Sequence, residues 1–330
     1  MKTLITGATG FVGAAVLRQL LDRGHDVRAL VRKTSDLRNL KGLEVETCTG
    51  DLNDTESLNL ALQGCNALFH IAADYRIWAP NPDEMVRNNL SGSKNLMTAA
   101  LAAGIERIVY TSSVATLGLL PGGAPADEGT LSSLETMVGA YKRSKFLAEQ
   151  EVQRLINEEN LPAVIVNPSA PIGPRDIKPT PTGRMVLQAA KGAMPAYVET
   201  GLNVVHVDDV AAGHILAYEK GEIGERYILG GENMTLKKIL ILIAEITGGR
   251  PPKFSIPHNA ILPFAYLAET WTNISGGKEP FATVDGINMA KKKMFFKSGK
   301  ARDKLGYTSR PAGQAFADAI KWFEENGYLN

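Results

Sequence analysis

Residues Thr3 to Gly13 read Thr-Leu-Ile-Thr-Gly-Ala-Thr-Gly-Phe-Val-Gly. A short β-rich run meets three glycines spaced three apart, and a helical pattern follows. Val12, Val16, Leu17, Leu20 and Leu21 recur at helical spacing, and Gly24 stops the run. The chain must therefore turn sharply from a strand into a helix. Gly7 permits the tight turn, Gly10 lets backbone approach a ligand, and Gly13 permits close helix–strand packing. The helix start aims free N–H groups and partial positive charge at one point, a place for a dinucleotide pyrophosphate. A glycine turn without a ligand is the plain alternative. The position between strand and helix favours the cofactor.

The first half keeps this rhythm. Candidate strands are Lys2–Thr6, Asp26–Val31, Glu44–Cys48, Ala67–Ile71, Arg107–Thr111 and Ala163–Val166. Candidate helices begin near Phe11, Thr55, Asp83 and Glu135. Alternation of this kind predicts an α/β fold, a Rossmann doubly wound parallel sheet covered on both faces. After Asn167 the rhythm breaks. Pro168, Pro171, Pro174, Pro179 and Pro181 crowd an irregular segment. Strand signals return at Val204–Val207 and Arg226–Leu229, so the chain is expected to revisit the first domain. The expected division is 1–170, with about 204–232, as the dinucleotide-binding domain. Residues 171–203 and 233–330 form a smaller, mostly helical substrate lobe.

Composition narrows the classes. The 330 residues are 44% hydrophobic and 22% charged, ordinary for a soluble globular chain. A net charge of +1 gives no strong electrostatic case for nucleic acid or an anionic membrane. Cys48 and Cys65 do not make a disulfide framework, and a reducing, cytoplasmic setting is expected. Met1 and Lys2 lead straight into a strand, so no signal peptide is expected. The apolar stretch Ala260 to Leu267 is shorter than the roughly 18–20 residues that cross a bilayer and is expected in the core or a substrate pocket. No metal is expected.

The end of the second strand bears on cofactor choice. NAD sites place an acidic side chain there. This chain offers Arg32-Lys33-Thr34-Ser35. Arg32, with Lys33 and Ser35, can pair with a 2′-phosphate, so NADP is expected, with NAD the alternative. A solvated basic turn is the other reading. Asp51, with Leu52, ends the next strand-like unit, where it can reach an adenine or cap the helix near Thr55. Ala72 and Ala73 leave room for a cofactor beyond the fourth strand.

Tyr141 and Lys145 stand four apart in a helical stretch and share a face. A free tyrosine has a pKa of about 10. A nearby ammonium favours the phenolate, making Tyr141 a general acid–base. Thr111-Ser112-Ser113 ends the fifth strand, where Ser113 can hold a substrate oxygen. A surface Tyr–Lys pair and a turn serine are the plain alternatives. Placed together behind a dinucleotide fold, the three support hydride transfer between a nicotinamide and a carbonyl or alcohol.

With these motifs the chain resembles the extended short-chain dehydrogenase/reductases over essentially its whole length. The resemblance also rests on His70-Ile71-Ala72-Ala73, Asn89-Leu90-Ser91-Gly92, Asn167-Pro168 and His206-Val207-Asp208-Asp209-Val210. More narrowly it is similar to hopanoid-associated sugar epimerases, often labelled dihydroflavonol-reductase-like, through Ala72–Trp78, Asn167–Pro181 and Lys292–Phe296. The resemblance implies a catalytic set of Ser113, Tyr141 and Lys145. It implies cofactor contacts from Gly7, Thr9, Gly10, Phe11, Val12, Gly13, Thr111, Pro168 and Ser169, besides those above. It implies that Asn89 supports the active-site helix and that Asp208 and Asp209 cap the helix after them.

One departure matters. Nucleotide-sugar epimerases of this superfamily typically carry an arginine before the strand ending in His-Val-x-Asp. Here Leu202 and Asn203 occupy that stretch. Tyr75, Trp78 and Tyr197 are expected to line an apolar pocket, with Arg76, Arg175 and Arg184 at a polar head, and Ser113 and Asn167 near the reacting group. The expected partner is a small molecule, a sugar or lipid-linked polyol among the candidates, and a homodimer is a further expectation. Three functions stand open: an NADP-dependent reductase, a sugar epimerase with retained NAD, and a non-catalytic NADP-sensing protein.

Overall fold

The structure, a computed structural model, describes residues 1–76, 78, 81–275, 280 and 283–329, without the Asn273 side chain. Ile77, part of one motif above, lies outside the described residues. The first half runs β1 (Lys2–Thr6), α1 (Phe11–Asp22), β2 (Asp26–Val31), β3 (Glu46–Thr49), α2 (Thr55–Leu62), β4 (Ala67–His70), α3 (Pro82–Ala102), β5 (Arg107–Thr111), α4 (Gly139–Glu159) and β6 (Ala163–Pro168). Then come β7 (Ala170–Ile172), α5 (Pro181–Ala190), β8 (Ala196–Tyr197), β9 (Gly201–His206), α6 (Val207–Lys220) and β10 (Arg226–Leu229). The chain continues through β11 (Glu232–Thr235), α7 (Leu236–Thr247), β12 (Phe254–Ser255), α8 (His258–Ser275), α9 (Val284–Ala290), α10 (Gly299–Leu305) and α11 (Ala312–Glu325).

Seven parallel strands form one sheet in the order β10-β6-β5-β4-β1-β2-β3. The central strands β1, β4, β5 and β6 are buried on both faces, because helices cover both, whereas the edge strand β3 is mostly exposed. On one face α1 and α6 bury Ala15, Val16, Leu20, Val210, Ala211 and Ile215 against the sheet. A Cβ at Gly213 would lie 2.5 Å from the Leu229 side chain, so only glycine lets α6 sit this close to β10. On the other face α2, α3 and α4 bury Leu58, Leu96, Met97, Ala100, Val152 and Leu155. Strand order reverses between β1 and β4, which opens a ligand crevice at the carboxyl ends of those strands.

The return to the large sheet is made by β10 alone. The predicted strand near Val204–Val207, here β9, pairs instead with β7 and β11 in a separate three-stranded sheet. An alternating Val-Val run fits either sheet, and its partners decide. Helix α4 starts at Gly139 rather than near Glu135. Leu134–Thr136 form a separate 3-10 turn, and Gly139 at φ +81° redirects the chain. The stretch Ala260–Leu267 is not core: Phe264, Tyr266 and Leu267 are exposed, and Ala265 is buried. Among the described residues, no helix is long and apolar enough to cross a membrane.

Candidate active site

Gly7 and Ala72 meet at the switch point. Gly7 adopts φ +76°, and a Cβ there would lie 2.7 Å from the Ala72 nitrogen. A Cβ at Gly13 would lie 2.1 Å from the Gly7 carbonyl oxygen, closer than any side chain tolerates. Gly10 caps α1 without a side-chain acceptor. The first-turn N–H groups of Phe11, Val12 and Gly13 thus remain for an anionic ligand. Asn39, buried, donates to the carbonyls of Thr9 and Arg175 at 3.2 Å each, tying this loop to the segment after β7.

Arg32 and Lys33 are exposed where β2 ends. Ser35 shapes the turn: its hydroxyl accepts from the Arg32 N–H at 3.0 Å, and its own N–H donates to the Arg32 carbonyl at 2.9 Å. Asp51 does not cap α2. It accepts from the Asn53 N–H at 2.9 Å, while Asp54 caps the helix through the Glu56 and Ser57 N–H groups. Leu52 packs against Gly92, where a Cβ would come within 2.9 Å. Ala72 donates its N–H to the Thr6 hydroxyl at 3.2 Å, and Ala73 follows, half-buried. Pro168 and Ser169 are buried at the end of β6. The Ser169 hydroxyl has no hydrogen-bond partner among the described residues. The glycine cradle, uncapped helix and unpaired hydroxyl together fit a dinucleotide.

Ser113, Tyr141 and Lys145 come together beyond β5. The Ser113 side chain accepts from the Ala115 N–H at 3.1 Å and lies beside the Tyr141 phenol. Burial pushes the Tyr141 pKa up, and the neighbouring Ser113 hydroxyl pulls against that rise. The expected pull from Lys145 is not what the structure contains. The buried Lys145 ammonium donates to the Thr111 carbonyl at 2.8 Å and lies 5.4 Å from the Tyr110 ring centre. Burial pushes its pKa down to about 8, and the Glu149 carboxylate opposes the drop. The Thr111 hydroxyl turns away, 2.9 Å from Nε2 of the buried His214.

Three residues hold this set. Asn89 Nδ2 donates to the Asp74 carbonyl and the Ser144 hydroxyl, each at 2.9 Å, and Ser144 donates to the Tyr141 carbonyl at 2.8 Å. Asn89 therefore clamps the start of α4, as expected. Asn167 is fully buried and faces inward. Its Nδ2 donates to the Ser113 carbonyl at 3.0 Å and to Glu149 Oε2 at 2.9 Å. Glu149 also accepts from the Thr116 hydroxyl at 2.9 Å and from Arg226 at 3.1 Å. No role for Glu149 comes from the motifs alone. Its place four residues past Lys145, on the same helical face, was the available signal.

On the substrate side, Tyr75, Asp176 and Arg184 are electrostatic neighbours. Burial pushes the Tyr75 pKa up, and Asp176 adds to the rise while Arg184 opposes it. Asp176 is pushed up to about 6 by burial, although it accepts from the Thr180 N–H and hydroxyl at 2.8 Å each. Trp78 is half-buried on the same loop as Tyr75. Tyr197 lies apart, buried with Leu236 and Leu240. Arg76 pairs with Asp74 at 2.5 Å, and Arg175 pairs with Asp208. His206, not Asp208 or Asp209, caps α6, and Asp209 instead holds Arg310. Asn203 is buried and donates to the Gly231 carbonyl and Asn233, so its stretch brings no cation to the crevice.

The fold, with a glycine cradle at its switch point, is that of an extended short-chain dehydrogenase/reductase. The chain belongs to the NAD dependent epimerase/dehydratase family, whose model matches residues 3–230. It is 46% identical to a putative dihydroflavonol 4-reductase of Synechocystis sp., over 98% of this chain and 95% of the relative. It is 37% identical to sterol demethylase protein B of Methylococcus capsulatus, over 100% of both chains. The crystal structure of gox2253 matches with a TM-score of 0.90 and 55% identity, covering 99% of each chain. The protein is thus an NAD(P)-dependent enzyme of the oxidoreductase and epimerase kind.

Proposed function

We propose that the protein is an NADP(H)-dependent reductase that interconverts a carbonyl and an alcohol on an apolar small molecule. The observation that carries this reading is the Ser113 hydroxyl beside the Tyr141 phenol, with the Thr111-anchored Lys145, at the carboxyl edge of β5. Residues 1–170 and 204–232 would hold the dinucleotide, and 171–203 with 233–330 would receive the substrate. Gly7, Gly10 and Gly13 would admit the pyrophosphate, Arg32 would meet a 2′-phosphate, and Ser169 would bond the nicotinamide end. The bound cofactor supplies or accepts the hydride.

The chain's own residues handle the proton. Ser113 orients the carbonyl oxygen through its hydroxyl. Tyr141 donates its phenolic proton to that oxygen as negative charge develops there. Its burial keeps it protonated at neutral pH, the form a reduction needs. Lys145, anchored on the Thr111 carbonyl, would hydrogen-bond the nicotinamide ribose. The neutral Leu202 and Asn203 favour reductase over nucleotide-sugar epimerase, because neither side chain can grip a diphosphate. The reductase and sterol-enzyme names of two relatives agree with an apolar substrate.

The test is NADPH oxidation by the purified protein with a panel of cyclic ketones and dihydroflavonols, beside UDP-sugars without added cofactor. Consumption of external NADPH by a ketone supports the proposal. Robust 4-epimerisation of a UDP-sugar without added cofactor overturns it.

A further inference from the structure

Helix α8 carries its apolar residues on the outside. Phe264, Leu267, Trp271 and Ile274 are 70%, 68%, 72% and 77% exposed. At 100° per residue they fall within roughly 80° of arc, one continuous stripe. Ala265 and Thr272 lie on the opposite side and are buried. The helix thus turns Ala265 and Thr272 inward and these four large residues out. Its one carboxylate, Glu269, is half-buried and accepts from the Val284 N–H at 2.8 Å, so it does not charge the stripe.

Exposed cations flank the start of α8 in the chain and at the Ala290 contact. His258, at the start of α8, bonds the Ala290 carbonyl at 3.1 Å, which brings Lys291 and Lys292 beside that end. Arg250 and Lys253 precede the helix, and all four cations are exposed. Phe254 and Ile256 lie exposed between these cations and the helix.

We propose that this face of α8 seats the protein on an anionic lipid bilayer, with the four-residue stripe in the acyl boundary and the basic cluster against the headgroups. A tryptophan, a phenylalanine and two aliphatics beside lysines are the chemistry of an interfacial helix. A second copy of the chain fits less well. The four side chains offer roughly 500 Å², short of the ~800 Å² per partner of a stable interface. Two basic clusters would also approach each other. The inference is independent of the reductase reading, since lipid binding is measured without substrate.

The test is flotation of the full-length protein with phosphatidylcholine vesicles, with and without phosphatidylglycerol. Binding to the anionic vesicles, several-fold weaker on neutral ones and weakened by salt, is expected. Trp271→Glu combined with Leu267→Glu should cut partitioning at least tenfold, with unchanged thermal melting and unchanged NADPH affinity. Lys291→Gln should cost roughly fivefold, on anionic vesicles only. Absence of flotation on either vesicle overturns the proposal. So does a concentration-dependent dimer in light scattering that Trp271→Glu dissolves, which would assign the face to a second copy.

Discussion

Asn167 holds Ser113 and Glu149 with a single amide, donating to the Ser113 carbonyl at 3.0 Å and to Glu149 Oε2 at 2.9 Å. Glu149 is therefore linked to the active centre twice. It fixes the turn that carries Ser113, and its charge holds the Lys145 pKa up against burial. Glu149→Gln keeps the shape and removes the charge. The Lys145 pKa, about 8 in the intact protein, should then fall further. If the ammonium form supports turnover, the alkaline limb of kcat should move to lower pH, with kcat at pH 7 reduced by about tenfold. A kcat profile unmoved from wild type would mean that Glu149 is only a packing residue.

Tyr141→Phe removes the proton donor and keeps the ring. Loss of general acid catalysis should lower kcat about 10²–10⁴-fold. The proton matters only in the transition state, so cofactor affinity should barely change. Lys145→Met should weaken nucleotide binding as well as turnover. Steady-state kinetics with NADPH titrations separate the two, and a near-native kcat for Tyr141→Phe would place the chemistry elsewhere.

Arg32→Asp tests nucleotide choice. Loss of a charge-assisted contact to a 2′-phosphate should cost about 1–3 kcal/mol of NADPH affinity. NADH should be affected far less. Equal losses in isothermal titrations with both nucleotides would remove Arg32 from the site.

Asp176 bears on stability. Its pKa is raised from 3.8 to about 6, so the folded state binds its proton more tightly than the unfolded state. Its contribution is greatest below about pH 4 and declines as pH rises through about 6. Asp176→Asn keeps a carbonyl acceptor for Thr180 and removes the buried charge. It should stabilise the protein by about 2–3 kcal/mol at pH 7 relative to its effect at pH 4. Denaturant melts at the two pH values measure this. An equal effect at both would show that the carboxylate is already solvated.

Local rules made much of this molecule readable. Gly7 and Gly13 announce a strand-to-helix turn because only glycine survives the contacts there. Tyr141 and Lys145 announce a shared face because helical spacing is rigid. The misplaced features depend on partners distant in sequence. The apolar period of α8 tells which residues share a face, yet Phe264 and Leu267 look the same in sequence whether or not another element covers them. Asn167 reads as a pocket residue until Ser113 and Glu149 close around it. The direction of Lys145 was equally hidden, because the carbonyl it meets belongs to Thr111, on another element.

The late arrival of β10 has a consequence for the life of the polypeptide. β6 ends at Pro168, and its outer edge is paired only when Arg226–Leu229 dock beside it. Until the ribosome has released that segment, β6 presents an open row of backbone donors and acceptors, an invitation to aggregation. The same segment delivers Arg226 to Glu149 and the Ile228 N–H to Glu128. Edge protection and completion of the support behind Ser113 therefore occur in one docking event. A nascent chain stalled before Arg226 would lack both, which ties the birth of catalytic competence to the moment the sheet closes.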